Sequence, residues 1–137
     1  IRELSGDGTT VFVTTHYMDE AEFCHRIGLM VDGRLTALDT PAALKRERVP
    51  GQLWQLQGPA LARALELCRE LPGVLDAQPF GAAAHVQLEP GVLDGDGLVE
   101  ALGRRGLRGL ELRRIEPSLE DVFLAVIERE GRSCAAS

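Results

Sequence analysis

Residues 49–51, Val-Pro-Gly, constrain the fold more than any other feature, because different patterns of predicted elements lie on either side of them. Proline lacks a backbone donor and glycine favours turns, so neither a helix nor a central strand is expected to continue through this point. The 137 residues, 45% of them hydrophobic, suffice for one ordinary domain or two small ones. We therefore predict domains at residues 1–48 and 49–130, followed by a loose tail at residues 131–137.

The first predicted domain contains a strand, a helix, a hairpin and a second helix. Residues 8–15 are rich in β-branched side chains, which is typical of a buried strand, and the acidic residues after His16 are typical of the first turns of a helix. Asp32-Gly33 joins two apolar stretches and predicts a hairpin over residues 27–38. Thr40-Pro41 predicts the next helix start, with Thr40 as its cap.

The second predicted domain has the element order β-α-β-β-α-β, which is the order of a ferredoxin-like sandwich, and a closing helix follows it. The predicted fold class is therefore α/β for the first domain and α+β for the second. Trp54 is expected to add core area, and His85 to face outward from its strand. The closing helix carries an apolar stripe, in which Phe123 is expected to be buried. The predicted elements are strands at 52–57, 74–80, 84–89 and 110–115, and helices at 60–71, 98–105 and 119–130.

Composition excludes several classes of protein. The net charge of −6 argues against a nucleic-acid partner, since phosphate contacts need clustered lysine and arginine. Three widely spaced cysteines argue against a secreted disulfide scaffold and favour a reducing cytoplasm. No apolar stretch has the length needed to span a bilayer, so membrane association is expected to come through a partner.

His16, Cys24 and His25 are the residues that could form a metal site. Neighbouring residues on a helix point in directions about 100° apart, so Cys24 and His25 make poor joint ligands. The spacing matches no recognised zinc motif. The sequence therefore predicts no metal site in this chain.

Two segments of the chain carry a family resemblance. Residues 14–27, Thr-Thr-His-Tyr-Met-Asp-Glu-Ala-Glu-Phe-Cys-His-Arg-Ile, follow an apolar stretch and precede the Asp-Gly hairpin. They resemble the switch-loop segment of ABC transporter ATPases. Residues 117–123, Pro-Ser-Leu-Glu-Asp-Val-Phe, resemble the end of the C-terminal extension in the branch that exports drugs, polysaccharides or lipids. Asp39 departs from the glycine that is usual in the branch before the Thr-Pro pair.

The resemblance implies that the chain is the C-terminal part of the ATP-binding subunit of an exporter. It implies that His16 acts catalytically by contacting the terminal phosphate of ATP, with Mg²⁺ as cofactor in the longer protein. It also implies two partners, a transmembrane permease and a second ATPase subunit. The implied location is cytoplasmic, at the inner face of the membrane. The chain has no glycine-rich phosphate loop, and Lys45 has no glycine nearby, so the chain alone is expected not to bind or hydrolyse ATP.

Two alternatives concern association. The chain could be a free-standing ferredoxin-like binding or dimerisation module without enzymatic activity, because the fold alone does not fix a function. As part of a larger sheet, residues 10–15 would lack a neighbouring strand in this chain. An apolar, uncharged strand edge is a template for pairing, so we expect either self-association through these residues or poor order in them.

Overall fold

In a computed structural model, residues 2–135 are described and divide into two units. Within the described residues, unit 1 consists of residues 2–48 and 118–135, and unit 2 of residues 49–117. The division after residue 48 coincides with the predicted boundary. The C-terminal helix, however, groups with unit 1 and not with the second domain, in which the sequence had placed it.

Unit 1 is a short hairpin with helices. Its two strands pair antiparallel and turn at Asp32 and Gly33, which both have positive φ, 50° and 77°, so the predicted hairpin is confirmed. Thr40 Oγ1 accepts a hydrogen bond from the Ala43 N–H at 3.2 Å, which confirms the predicted helix cap. The elements are α1 (Arg2–Gly6), α2 (Met18–Ala21), β1 (Ile27–Val31), β2 (Arg34–Asp39), α3 (Pro41–Arg48) and α6 (Leu119–Ala135).

Helix α6 packs against α3 and α2. Its stripe is buried at Leu119, Val122 and Val126, whereas Phe123 is half-buried and Ile127 is 40% exposed. The helix therefore closes unit 1 along the first three of these residues. Phe123 is therefore not fully buried, because the buried stripe runs beside its ring.

The predicted loose tail is also corrected, because α6 continues to Ala135. No proline interrupts it, and Arg132 pairs with Glu128 one turn earlier at 2.7 Å, which supports the last turns of a helix. Residues 136 and 137 lie outside the described residues.

Unit 2 contains one four-stranded antiparallel sheet with two helices, in the predicted element order. The spatial order of the strands is β4-β5-β3-β6, so the first strand in the sequence lies inside the sheet and the last lies at an edge. Helix α4 packs on β4 and β5, and α5 packs on β6 and α4. The elements are β3 (Gln52–Gln57), α4 (Leu61–Glu70), β4 (Val74–Phe80), β5 (Ala83–Leu88), α5 (Gly95–Arg104) and β6 (Glu111–Ile115).

The core of unit 2 lies between the sheet and its two helices. The buried side chains come from β3, β4, β5 and both helices, and Trp54 packs against them as predicted. Burial raises the pKa of the Cys68 thiol from 9.0 to about 11, although the neighbouring Arg69 opposes the shift. The core residues are Leu56, Ala64, Leu65, Leu67, Cys68, Ala77, Ala84, Val86, Leu88, Leu98 and Leu102.

Two local predictions in unit 2 need correction. Helix α5 begins at Gly95, three residues before the predicted start, because Asp94 caps it by accepting the Gly97 N–H at 2.7 Å. His85 does not face solvent: it is 8% exposed and its ring stacks on that of Phe80 at 3.9 Å. Every residue of β5 is buried, and the ring of Phe80 on the neighbouring strand β4 covers His85, so the alternation in the sequence did not indicate exposure.

We expect Leu102→Ala to lower the free energy of unfolding of unit 2 by about 2–5 kcal/mol, because it removes a fully buried side chain from this core. Leu75→Ala is the matched control, since Leu75 is 46% exposed, and it should change the free energy by about 0.5 kcal/mol or less. Denaturant titration followed by the fluorescence of Trp54, the single tryptophan of the chain, gives both values. Equal losses in the two variants would contradict this core assignment.

Candidate functional site

His16 lies in unit 1, in an exposed turn just before α2. Its ring contacts that of Tyr17, with centroids 4.1 Å apart and planes inclined by 36°. Tyr17 is the N-cap of α2 and has extended backbone angles, but its side chain makes no capping hydrogen bond. The conformation of this turn is therefore fixed by other groups.

Thr15 and Glu20 close the turn around His16. The Thr15 hydroxyl donates to Glu20 Oε2 at 2.7 Å and accepts the Tyr17 N–H at 3.0 Å. Glu20 thus lies in the first turn of the helix, as predicted, and also bonds the residue immediately before His16. The two hydrogen bonds hold the backbone on both sides of the histidine.

The segment before His16 differs from its prediction. Residues 9–15 do not form a strand, and no strand within residues 2–135 pairs with them. Phe12 is 92% exposed and Val13 is 40% exposed. The prediction of a buried strand over residues 8–15 is therefore wrong for this chain, since a strand requires a neighbour for its backbone groups and none is present among the described residues.

Glu22 and Lys45 form an ion pair that the sequence did not predict. Lys45 Nζ donates to Glu22 Oε2 at 2.7 Å, and both side chains are about a quarter to a third exposed, at 26% for Lys45 and 31% for Glu22. The other carboxylate oxygen of Glu22, Oε1, accepts the backbone N–H of Leu119 at 3.3 Å. The contacts span 23 and 97 residues of sequence, so no local pattern could indicate them.

The remaining candidate residues do not gather around His16. Within the part of the chain that the structure describes, no group of three or more His, Cys, Asp or Glu side chains could hold a metal ion. Lys45, which has no phosphate loop around it, is on α3 and paired with Glu22. The candidate residues in the described part of the chain therefore do not form one common site around His16.

None of the helices described in residues 2–135 combines the length and the apolar character needed to cross a bilayer.

Relatives with curated descriptions match nearly the whole chain. The Nod factor export ATP-binding protein I of Rhizobium sp. (strain N33) is 35% identical over 132 residues, which cover 95% of this chain. A fluoroquinolones export ATP-binding protein of Mycobacterium tuberculosis (strain H37Rv) is 32% identical over 131 residues, also 95% of the chain. The probable multidrug ABC transporter ATP-binding protein YbhF of Escherichia coli (strain K12) is 53% identical over 47 residues, 34% of the chain and 8% of that protein. No protein-family model matches the chain.

The chain spans only part of these relatives. It covers 40% of the length of the Rhizobium protein and 37% of that of the Mycobacterium protein. Both long alignments lie above 30% identity and include the residues around His16 as well as most of α6, since each extends over 95% of the chain. The chain therefore belongs to the family of ABC transporter ATP-binding proteins.

Proposed function

We propose that this chain is the C-terminal part of the ATP-binding, ATP-hydrolysing subunit of an ABC-type exporter. The observation that carries the proposal is the 35% identity, over 95% of the chain, to a protein described as an export ATP-binding protein. In the longer protein, ATP is the substrate and the phosphate loop and Mg²⁺ ligands come from residues outside this chain. The transmembrane permease and a second ATPase subunit are the proposed partners, at the inner face of the membrane.

His16 is proposed as the catalytic residue that contacts the terminal phosphate of ATP. Support comes from its exposed position and from the two hydrogen bonds that hold Thr15 and Tyr17 on either side of it. An imidazole held in this way can meet a phosphate that another part of the protein binds. The side chain supplies one contact, so it acts only in a protein that also carries the phosphate loop.

We propose that unit 2 is a ferredoxin-like accessory domain with a regulatory or dimer-stabilising role. The spatial order β4-β5-β3-β6 supports the ferredoxin-like fold, because it puts the strands that start and end the β-α-β-β-α-β sequence side by side. Its core is complete within its own sheet and helices. The regulatory role rests on the resemblance to exporters.

The exposed apolar residues favour the exporter subunit over a free-standing module. One face of the β1–β2 hairpin consists of Gly28, Met30, Leu35 and Leu38, and the three larger side chains are 62%, 58% and 48% exposed. Such a contiguous apolar face is unusual on a monomeric protein and is typical of a covered surface. We propose that other parts of the ATP-binding domain cover it in the longer protein.

A chimera tests the role of His16. In it, this chain replaces the aligned 132-residue segment of the Rhizobium export protein. We expect His16→Ala to lower the kcat for ATP about 100-fold with little change in ATP binding, because the lost contact acts mainly on the charge that develops during phosphoryl transfer. His25→Ala, which alters another exposed histidine, is the control and should leave kcat unchanged. Full turnover of the His16 variant would exclude the proposed role.

Self-association through residues 10–15 is the second proposal to test. The composition of these residues is typical of a strand, and they carry no charge or proline. They are not paired with any strand of the described residues. We expect the chain to oligomerise in light scattering, and Val13→Lys to reduce the mass toward that of a monomer. Val99→Lys is the matched control, because Val99 on α5 is 39% exposed against 40% for Val13. A monomeric parent chain, or equal effects of both lysines, would contradict the proposal.

A further inference from the structure

Glu22 joins three segments of unit 1 that are far apart in sequence. Its backbone N–H bonds the Met18 carbonyl at 3.3 Å and so ends α2. Its carboxylate accepts from Lys45 on α3 at 2.7 Å and from the backbone of Leu119, the first residue of α6, at 3.3 Å. One side chain therefore ties the residues that follow His16 to two longer helices.

The start of α6 shows why a carboxylate is suited to this position. The first N–H groups of a helix have no partner inside the helix, and the helix dipole favours negative charge there. Ser118 and Asp121 satisfy each other reciprocally: Asp121 accepts the Ser118 N–H at 2.9 Å, and Ser118 Oγ accepts the Asp121 N–H at 3.3 Å. The N–H of Leu119 is outside this pair, and Glu22 supplies its acceptor.

Helix α2 depends for its stability on contacts with other segments of unit 1. It has four residues and no side-chain cap, and a helix of this length is not stable by itself in water. Ala21 is buried and α2 packs on α6, while Glu22 fixes its C-terminal end. At the opposite end of α2, Glu20 bonds Thr15, next to His16. The contacts thus run continuously from the start of α6 to the turn that carries the histidine.

We propose that Glu22 is a positioning residue for His16, through which α3 and the N-terminus of α6 hold the histidine turn in place. The catalytic meaning of this position rests on the function proposed above for His16. The tie itself is a property of unit 1 and is measurable without nucleotide.

Glutamine cannot reproduce the tie, although it has nearly the same shape. Glu22 presents two acceptor oxygens to two donors, the Lys45 ammonium and the Leu119 amide. Glutamine has one acceptor oxygen, and its NH₂ group would face a second donor. Glu22→Gln therefore removes one of the two contacts while keeping the volume of the side chain.

Hydrogen exchange on the intact chain tests the tie. We expect Glu22→Gln to speed exchange in residues 16–22 and at the start of α6 by up to about fivefold, the factor that corresponds to the contribution of a partly exposed ion pair. Glu120→Gln is the matched control, because it removes the same charge from an exposed position in the first turn of α6. It should leave residues 16–22 unchanged. Unaltered exchange of residues 16–22 in Glu22→Gln would overturn the proposal.

Two further variants keep the test decisive if Glu22→Gln weakens folding. Lys45→Gln leaves the Leu119 contact and should loosen residues 16–22 by a smaller factor. The double exchange Glu22→Lys with Lys45→Glu restores an ion pair but puts a cation against the Leu119 amide and the positive end of α6, so it should not restore protection. Full restoration by the double exchange would show that the ion pair suffices and would overturn the link to α6.

The chimera separates this inference from the proposed function. Glu22→Gln should lower kcat for ATP while KM stays unchanged, by a smaller factor than His16→Ala, and Glu120→Gln should change neither. If His16→Ala leaves kcat unchanged, the proposed function of His16 fails. If His16→Ala lowers kcat and Glu22→Gln does not, the proposed function stands and the positioning role of Glu22 is overturned.

Discussion

Burial of the apolar stripe of α6 against α3 is the interaction on which unit 1 depends. Leu44 on α3 and Leu119 on α6 are each 1% exposed, and Val122 on α6 is fully buried. The other elements of unit 1 cannot form a core alone: α1 buries no residue, α2 has four residues, and a two-stranded hairpin is marginal in water. Without α6, the apolar side chains of α3 would be exposed, so α6 completes the core of unit 1.

The parts of the fold that could be predicted are those whose cause is local. Asp32-Gly33 provides the two positive φ angles of its turn, and Thr40 caps α3 with its own hydroxyl. The β-α-β-β-α-β order of unit 2 follows from breaks at glycine and proline between periodic stretches. In each of these cases the residues that cause the structure lie within a few positions of it.

The features that were predicted wrongly depend on distant partners. The apolar stripe of α6 indicates that some surface covers it, but it does not indicate which one. That surface is α3, and the whole of unit 2 separates α3 from α6 in the sequence. The composition of residues 8–15 is that of a strand, but strand formation needs a neighbour, which the described residues do not offer. His85 alternates with apolar residues, yet the ring of Phe80 on β4 covers it.

The candidate functional site also has one residue that the sequence indicates and another whose contacts depend on distant partners. His16 was found through the resemblance of residues 14–27 to switch loops, and its position in a turn held by Thr15 and Glu20 is visible only in three dimensions. Glu22 lies inside the same matching segment, but its contacts are with residues 23 and 97 positions away. Spacing rules describe helices and short turns, and they do not extend to such separations.

The hydrogen bond between Glu22 and Leu119 joins the two segments that resemble those of exporters. Glu22 belongs to residues 14–27 and Leu119 to residues 117–123, and the hydrogen bond between them joins the only two segments on which the resemblance to exporters was based. The Lys45–Glu22 pair is partly exposed, and pairs of this kind contribute about 1 kcal/mol or less to stability. The tie therefore cannot account for the folding of unit 1, which burial of α6 provides. Its effect is on position: it holds the C-terminal end of α2, and through α2 the preceding turn of His16, relative to α6, which is itself held by its core.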